Sequence, residues 1–480
     1  MKPLSTSLFA CVSLLTNLVV TQADSSSSST SSEAPGSAYT SSNMSMTLSL
    51  TGYPSTTSST SSASTSVSGS SSLVNGSISN GLALTPPMGF STWNEFGIDI
   101  NETMMKSTMD FFVSSGLRDA GYVYINLDDG WQQYPGNRSN HPGPIAPDPD
   151  KFPSGIKALA DYAHERGLKM GIYTGPGDTT CAGFIGSLGH EQEDADTFAS
   201  WGIDHLKYDA CCWIDQFAPE IEVQTAMLTM SEALIKTHRS IVFHMCYCGW
   251  ANIAEWAAGE GANQWRIGQD ISDDFNYPGQ REKYYNDVLE MIDIGNNLTQ
   301  YSGPGHWNDY DMLIIGLNGE SENLVGIGCS NIEYRTHVSL WAMVASPMLI
   351  GSDARTLSPY DLETLLNPEM VAISQDPLGV PATTCGVGNQ ASGDLQVYGR
   401  PLNDGSWAVA LLNRGSFSAE MDFYPPRDIT QGWYIYRVRD VWAHEDHGPF
   451  ASAYTTEVRP HEAKILRVYQ AYANATMWFP

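Results

Sequence analysis

Two aspartates in this sequence each stand close to a cation. Asp209 follows Lys207 by two residues, and Asp270 follows Arg266 by four. Further acids recur after short apolar runs, as the Asp128-Asp129 pair and as Asp309 and Asp311, alongside Trp93, Asn94 and Tyr173. A lone Asp after a strand is usually a turn or cap residue. Carboxylates after four such runs, beside a Lys, an Arg and a Trp, are harder to assign to caps. Carboxylates accept hydrogen bonds from vicinal hydroxyls, and an aromatic ring packs on the apolar C–H face of a pyranose. Cleaving a glycosidic bond needs two carboxyl groups across the anomeric carbon, one ionised and one protonated. On an extended strand Lys207 and Asp209 face the same side, so Lys207 is expected to favour ionised Asp209 and make it the better nucleophile. Asp270 is then expected to hold its proton longer, through burial or a like charge.

Such residues need a scaffold that brings separated segments to one rim. Buried-strand runs occur at Tyr122–Leu127, Leu168–Tyr173, Ile203–Tyr208, Ser240–Met245 and Val344–Ile350, with Met88–Trp93 as the first. Helical periodicity fills the intervals. Glu102–Ala120 places Met105, Met109, Phe112 and Leu117 near one face and is expected to stop at Gly121. Ser154 is expected to cap the next helix, and Ile221–His238 and Glu282–Gly295 read as two more. The rhythm is that of a (β/α)8 barrel over 81–378, whose carboxyl-end loops build the active site. The rival is an open doubly wound sheet, but no Gly-x-Gly-x-x-Gly follows a strand. From about 379 to 480 the pattern becomes short strands, such as Leu395–Tyr398, Ser406–Leu412, Trp433–Val438 and Lys464–Tyr469. This predicts a C-terminal antiparallel β-sandwich domain after the α/β barrel.

The 480 residues carry 24 Lys plus Arg against 53 Asp plus Glu, for a formal charge of −29. That surface repels phosphate backbones and anionic lipid, so neither nucleic acid nor a membrane surface is an expected partner. Residues 1–23 read as a secretory signal, with Lys2, an apolar run from Leu8 to Val20 and the small-residue ending Thr21-Gln22-Ala23. No second long apolar run follows, so no membrane span is expected. In residues 24–80, 33 of 57 positions are Ser or Thr. This segment is expected to be disordered, as an O-glycosylated stalk or a plain spacer. Sequons at Asn43, Asn75, Asn101, Asn137, Asn297 and Asn474 fit the secretory route. The expected location is extracellular, with cell-wall association open to the stalk. Seven of the eight cysteines remain after the signal, so some should pair in an oxidising compartment. No Cys-x-x-Cys or zinc-spaced His cluster occurs, and no metal site is expected.

The motifs resemble glycoside hydrolase family 27, the family of α-galactosidases and α-N-acetylgalactosaminidases. The resemblance rests on Leu84-Thr-Pro-Pro-Met-Gly-Phe-Ser-Thr-Trp-Asn94, Tyr124-Ile-Asn-Leu-Asp-Asp-Gly-Trp131 and Leu206-Lys-Tyr-Asp-Ala-Cys211. Trp265-Arg-Ile-Gly-Gln-Asp-Ile271, Gly303-Pro-Gly-His-Trp-Asn-Asp-Tyr-Asp-Met312 and Ser346-Pro-Met-Leu-Ile350 continue it in order. It implies a secreted exo-acting hydrolase of terminal α-galactosides, with a retaining double displacement and no cofactor. Asp209 takes the place of the nucleophile and Asp270 that of the acid/base, about 5–5.5 Å apart. By the same matching Trp93, Asp128, Asp129, Tyr173, Lys207, Arg266 and Asp311 line the sugar pocket, with Cys211, Tyr247 and Met312 beside them. Cys181 and Cys211 match a family disulfide. One departure bears on specificity. In Met245-Cys-Tyr-Cys-Gly-Trp250, Tyr247 and Cys248 stand where the family usually has Glu-Trp. That leaves open an α-N-acetylgalactosaminide, a β-L-arabinopyranoside or an α-glucan as substrate, with Tyr247 either touching the sugar or filling volume. An inactive carbohydrate-binding surface protein is the non-enzymatic alternative.

Overall fold

The computed structural model describes residues 80–210, 220–277, 285–385, 393–429 and 431–471. The expected signal, the Ser/Thr-rich segment up to residue 79, Cys211 and Cys212 lie outside these residues, as do the sequons at Asn43, Asn75 and Asn474. Asn80, read by composition as the last stalk residue, is tied to the folded body: its side chain donates to Asn263 Oδ1 at 2.8 Å.

Eight parallel strands form the central sheet. They are β1 (Met88–Ser91), β2 (Tyr124–Asn126), β3 (Lys169–Thr174), β4 (His205–Asp209), β5 (Val242–Cys246), β6 (Gln264–Arg266), β9 (Trp307–Asp309) and β10 (Met348–Ile350). Their spatial order is β10-β1-β2-β3-β4-β5-β6-β9. The ring closes through Leu313, which donates to Leu349 O at 2.7 Å and accepts from Gly351 N at 2.9 Å. The intervening β7 (Asp270–Ile271) and β8 (Tyr285–Asn286) are not barrel strands and pair with each other.

Alternation sorts the side chains. On β4, Leu206 and Tyr208 join the apolar layer beneath the helices, while His205, Lys207 and Asp209 turn inward. On β5, Phe243 and Met245 face out and His244 and Cys246 face in. On β6, Trp265 faces out and Arg266 in. The barrel axis is therefore lined with polar groups at the end where the chain leaves each strand.

Several predicted boundaries shift for local reasons. The helix α2 (Glu102–Ser115) ends at Gly116, whose φ of 91° supplies the left-handed cap, and does not reach Gly121. Ser154 stands at the N-cap of α3 (Gly155–His164) but makes no side-chain cap bond. Instead its backbone N–H donates to Glu102 Oε2 at 2.9 Å. The helix expected over 282–295 is α7 (Val288–Gly295), set by a reciprocal cap between Asp287 and Glu290. The run 344–350 becomes strand only at Met348, since Val344 closes the helix α8 (Asn331–Met343) and Pro347 has no N–H for a ladder.

The C-terminal part carries a six-stranded antiparallel sheet. Its order is β11 (Thr383–Thr384), β12 (Leu395–Pro401), β13 (Trp407–Asn413), β18 (Ala463–Gln470), β15 (Tyr436–Asp440) and β16 (Glu445–Phe450). A hairpin-like pair, β14 (Ala419–Phe423) and β17 (Tyr454–Val458), packs across from it. Central strand β13 is buried on both faces. Val409 and Leu411 meet the β14–β17 pair, whereas Ala408, Ala410 and Leu412 join the barrel's core beside α8. Arg400 on β12, fully buried, donates to the Ala342 carbonyl of α8 at 2.8 Å.

Candidate active site

The short, deep strands deliver most of the predicted residues to one rim. Asp128 and Asp129 leave the end of β2, Tyr173 is next to last on β3, Lys207 and Asp209 belong to β4, Arg266 ends β6, and Asp311 and Met312 follow β9. Trp93 opens the first turn of α1 (Trp93–Phe96), just beyond β1, and is half-buried. Asp270 is placed differently. It does not end the sixth strand but sits four residues beyond it, on the β7–β8 pair. Cys211 lies outside the described residues.

One side of the site is an ionic ladder. Lys207 Nζ lies 2.9 Å from Asp128 Oδ2 and 3.7 Å from Asp209 Oδ2. The Ser91 hydroxyl donates to Asp128 Oδ2 at 3.3 Å. The Tyr173 ring lies 5.2 Å below the Lys207 ammonium, and its hydroxyl donates to Cys181 Sγ at 2.9 Å. Burial, then the charges of Asp209, Asp129 and Asp128, keep the Tyr173 phenol protonated well above its ordinary range.

Lys207 acts on Asp209 with the expected sign, but the net shift runs the other way. Burial raises the Asp209 pKa, aided by the charges of Asp270 and Asp128, and Lys207 offsets this only in part. Burial is the larger influence, and the ammonium sits closer to Asp128 than to Asp209. Nor is Asp270 buried, since its side chain is 50 % exposed with Arg266 Nη2 at 3.1 Å.

The opposite side hangs on Asp311. Its Oδ2 forms an ion pair with Arg266 Nη2 at 2.8 Å and accepts from the Ile271 N–H at 2.8 Å, and its Oδ1 accepts from the Met312 N–H. Its φ of 77° is left-handed, a conformation a non-glycine residue keeps only when its surroundings hold it. Burial, against the pull of Arg266, raises the Asp311 pKa to about 6. Asp129 is also pushed up to about 6 by burial and by the Asp128 charge. Its carboxylate is held by its own neighbours: Thr180 Oγ1 and Gly130 N donate to Oδ1 and Ala182 N donates to Oδ2, at 2.8–2.9 Å.

Tyr247 is fully buried in the apolar core, edge-on to Trp250 at 5.4 Å. Sequence reasoning missed His205 and His244, which line the cavity at the barrel mouth. Their inward parity on β4 and β5, in step with Lys207, was the available signal. Among the described residues no group of three or more His, Cys, Asp or Glu side chains is arranged to hold a metal ion.

A parallel barrel with acids, a lysine and an arginine at its carboxyl rim, followed by an antiparallel β domain, has known counterparts. The family described as "Alpha galactosidase A" matches residues 85–376, and its "C-terminal beta sandwich domain" matches 392–468. An α-galactosidase of Cyamopsis tetragonoloba is 40 % identical over 388 residues, covering 80 % of this chain and 86 % of that protein. Among solved structures, α-galactosidase I of Mortierella vinacea superposes with a TM-score of 0.74 at 33 % identity, covering 82 % of this chain and 98 % of that one. The α-galactosidase of Saccharomyces cerevisiae with raffinose gives 0.72 at 29 % identity, covering 82 % and 99 %. The chain belongs to glycoside hydrolase family 27, the α-galactosidase family.

Proposed function

We propose that this protein is a secreted, retaining exo-glycosidase that hydrolyses terminal non-reducing α-D-galactosyl residues. Asp209 attacks C1 of the sugar while Asp270 gives its proton to the departing glycosidic oxygen. Asp270, now a carboxylate, takes a proton from water, the resulting hydroxide attacks C1, and Asp209 leaves as a carboxylate with galactose released in the α configuration. The observation that carries this reading is the contrast between the two acids. A nucleophile benefits from a dry, fixed setting, and Asp209 is 8 % exposed on a barrel strand. An acid that becomes a base must trade protons with water, and Asp270 is half-exposed. Asp128, Asp129, Lys207, Arg266 and Asp311 supply the hydrogen-bonding wall that fits the sugar hydroxyls.

Cys181, a half-cystine, pairs in this reading with Cys211 beside the nucleophile. The sequons at Asn101, Asn137 and Asn297 are exposed, which suits glycosylation on a secretory route. Among the described residues no helix is long and apolar enough to cross a membrane. The test is release of nitrophenol from aryl glycosides by the pure protein. The expected outcome is the highest kcat/KM on the α-galactoside. A higher value on the α-N-acetylgalactosaminide, the β-L-arabinopyranoside or the α-glucoside reassigns the sugar, and no release from any of them between pH 4 and 6 removes the hydrolase assignment.

A further inference from the structure

We infer that His244 is a positioning residue for the acid/base arm of the site, acting through Asp309 on Asp311. The inference rests on the reading of Asp270 as the acid/base. It starts from a continuous run of contacts. His244 on β5 places Nε2 2.9 Å from Asp309 Oδ2, with both side chains at most 5 % exposed. The other oxygen, Asp309 Oδ1, accepts the Asp311 N–H at 2.8 Å. That bond fixes the left-handed backbone of Asp311. Asp311 then grips the β7 segment twice. Its Oδ2 takes the Ile271 N–H, one residue past Asp270, and also Arg266 Nη2, which reaches Asp270 Oδ1 at 3.1 Å. Since Asp270 is not on a barrel strand, this grip joins its segment to the wall.

The charged neighbours of the His244–Asp309 pair are known from each packed element. On β4, Lys207 lies opposite His244 in register, and the His205 ring is 5.7 Å away. Burial, then the charge of His244, pushes His205 down to about 3, so it stays neutral at working pH. On β6 the register partner Gln264 is uncharged, and Arg266 faces Asp309. Burial alone would raise Asp309, but contact with His244 and the charge of Arg266 hold it below the ordinary carboxylate range. Removing His244 lets burial dominate, so Asp309 protonates at higher pH and its hold on Asp311 weakens there.

The experiment compares methyl α-D-galactoside, whose leaving group needs a proton, with 2,4-dinitrophenyl α-D-galactoside, whose leaving group does not. Asp270→Asn is the control for the underlying reading and should lose at least 100-fold more activity on the methyl than on the dinitrophenyl glycoside. His244→Leu should show the same selectivity, with about a tenfold greater loss on the methyl glycoside. The acid limb of its kcat/KM profile should move to higher pH. His244→Gln, which keeps an N–H group beside Asp309, should recover most of kcat. If His244→Leu does not fold, Asp309→Asn reads the same arm and should show the same selective loss. Equal losses on both substrates with an unmoved pH profile, or wild-type behaviour, overturn the role of His244 while leaving Asp270 in place. An Asp270→Asn enzyme without leaving-group selectivity overturns both.

Discussion

The two walls of the pocket are built in different ways. One is made by the barrel strands themselves: Lys207 and Asp209 on β4 and Cys246 on β5, locked in register with Asp209 opposite Cys246. The other is made by segments that come after strands: the Asp270 pair of strands and the turn carrying Asp311. The first wall is fixed by sheet hydrogen bonds. The second is fixed by side chains, chiefly Asp311 and Arg266. The difference teaches that rigidity and proton exchange are served by separate parts of one fold, and each part fails in its own way.

The largest effect should come from the strand-built wall. Asp209→Asn should lower kcat by roughly 10⁴-fold or more with the circular dichroism spectrum unchanged. Retained activity would show that the dry carboxylate is not the nucleophile. On the other wall, Asp270→Asn should lower kcat on unactivated galactosides by roughly 10²–10⁴-fold, as expected for loss of general acid–base catalysis. Azide should restore turnover on an activated aryl galactoside. The azide product should carry the α configuration at C1, and a β product would contradict the assignment of that proton donor.

Behind the strand-built wall, Tyr247 is buried in the apolar core. Tyr247→Ala should destabilise the protein by about 3–5 kcal/mol in denaturant unfolding, as for other large buried side chains. Tyr247→Phe should leave the ratio of kcat/KM between galactoside and N-acetylgalactosaminide unchanged. A shift in that ratio would return Tyr247 to the pocket.

The smallest effect concerns Asp129, with its carboxyl pushed up to about 6 by burial. A carboxyl with a raised pKa binds its proton more tightly in the folded state. Its contribution is therefore fully present below the unfolded value near 4 and is lost as pH rises through 6. The two-unit rise corresponds to about 3 kcal/mol at most. Stability should fall between pH 4 and 7, and Asp129→Asn should flatten that slope.

The strand-built wall was also the more legible one. The short apolar runs Ile203–Tyr208 and Ser240–Met245 located β4 and β5 within two residues. The pair that carries Asp270 was not legible, because two strands of two residues each have no period to read. Asp270 was singled out by its nearby cation and by its motif, not by any strand period. The opposed pull of burial and Lys207 on Asp209 was equally hidden, since strand parity puts Lys207 on the right face but does not say that Asp128 lies nearer. The stop of α2 was missed because two glycines, Gly116 and Gly121, both fit, and only backbone geometry separates them.

The closure of the ring at Leu313 has a consequence for how the molecule should breathe. Adjacent strands β4 and β5 share five register positions, whereas β9 and β10 are joined through this one residue. The seam of the cylinder therefore lies two positions past Asp311. A sugar held by Asp311 spans the side of the hole nearest that seam and acts as a clasp on it. Amide exchange at Leu313 and Gly351 should slow when galactose is bound, reporting occupancy from the weakest joint of the cylinder.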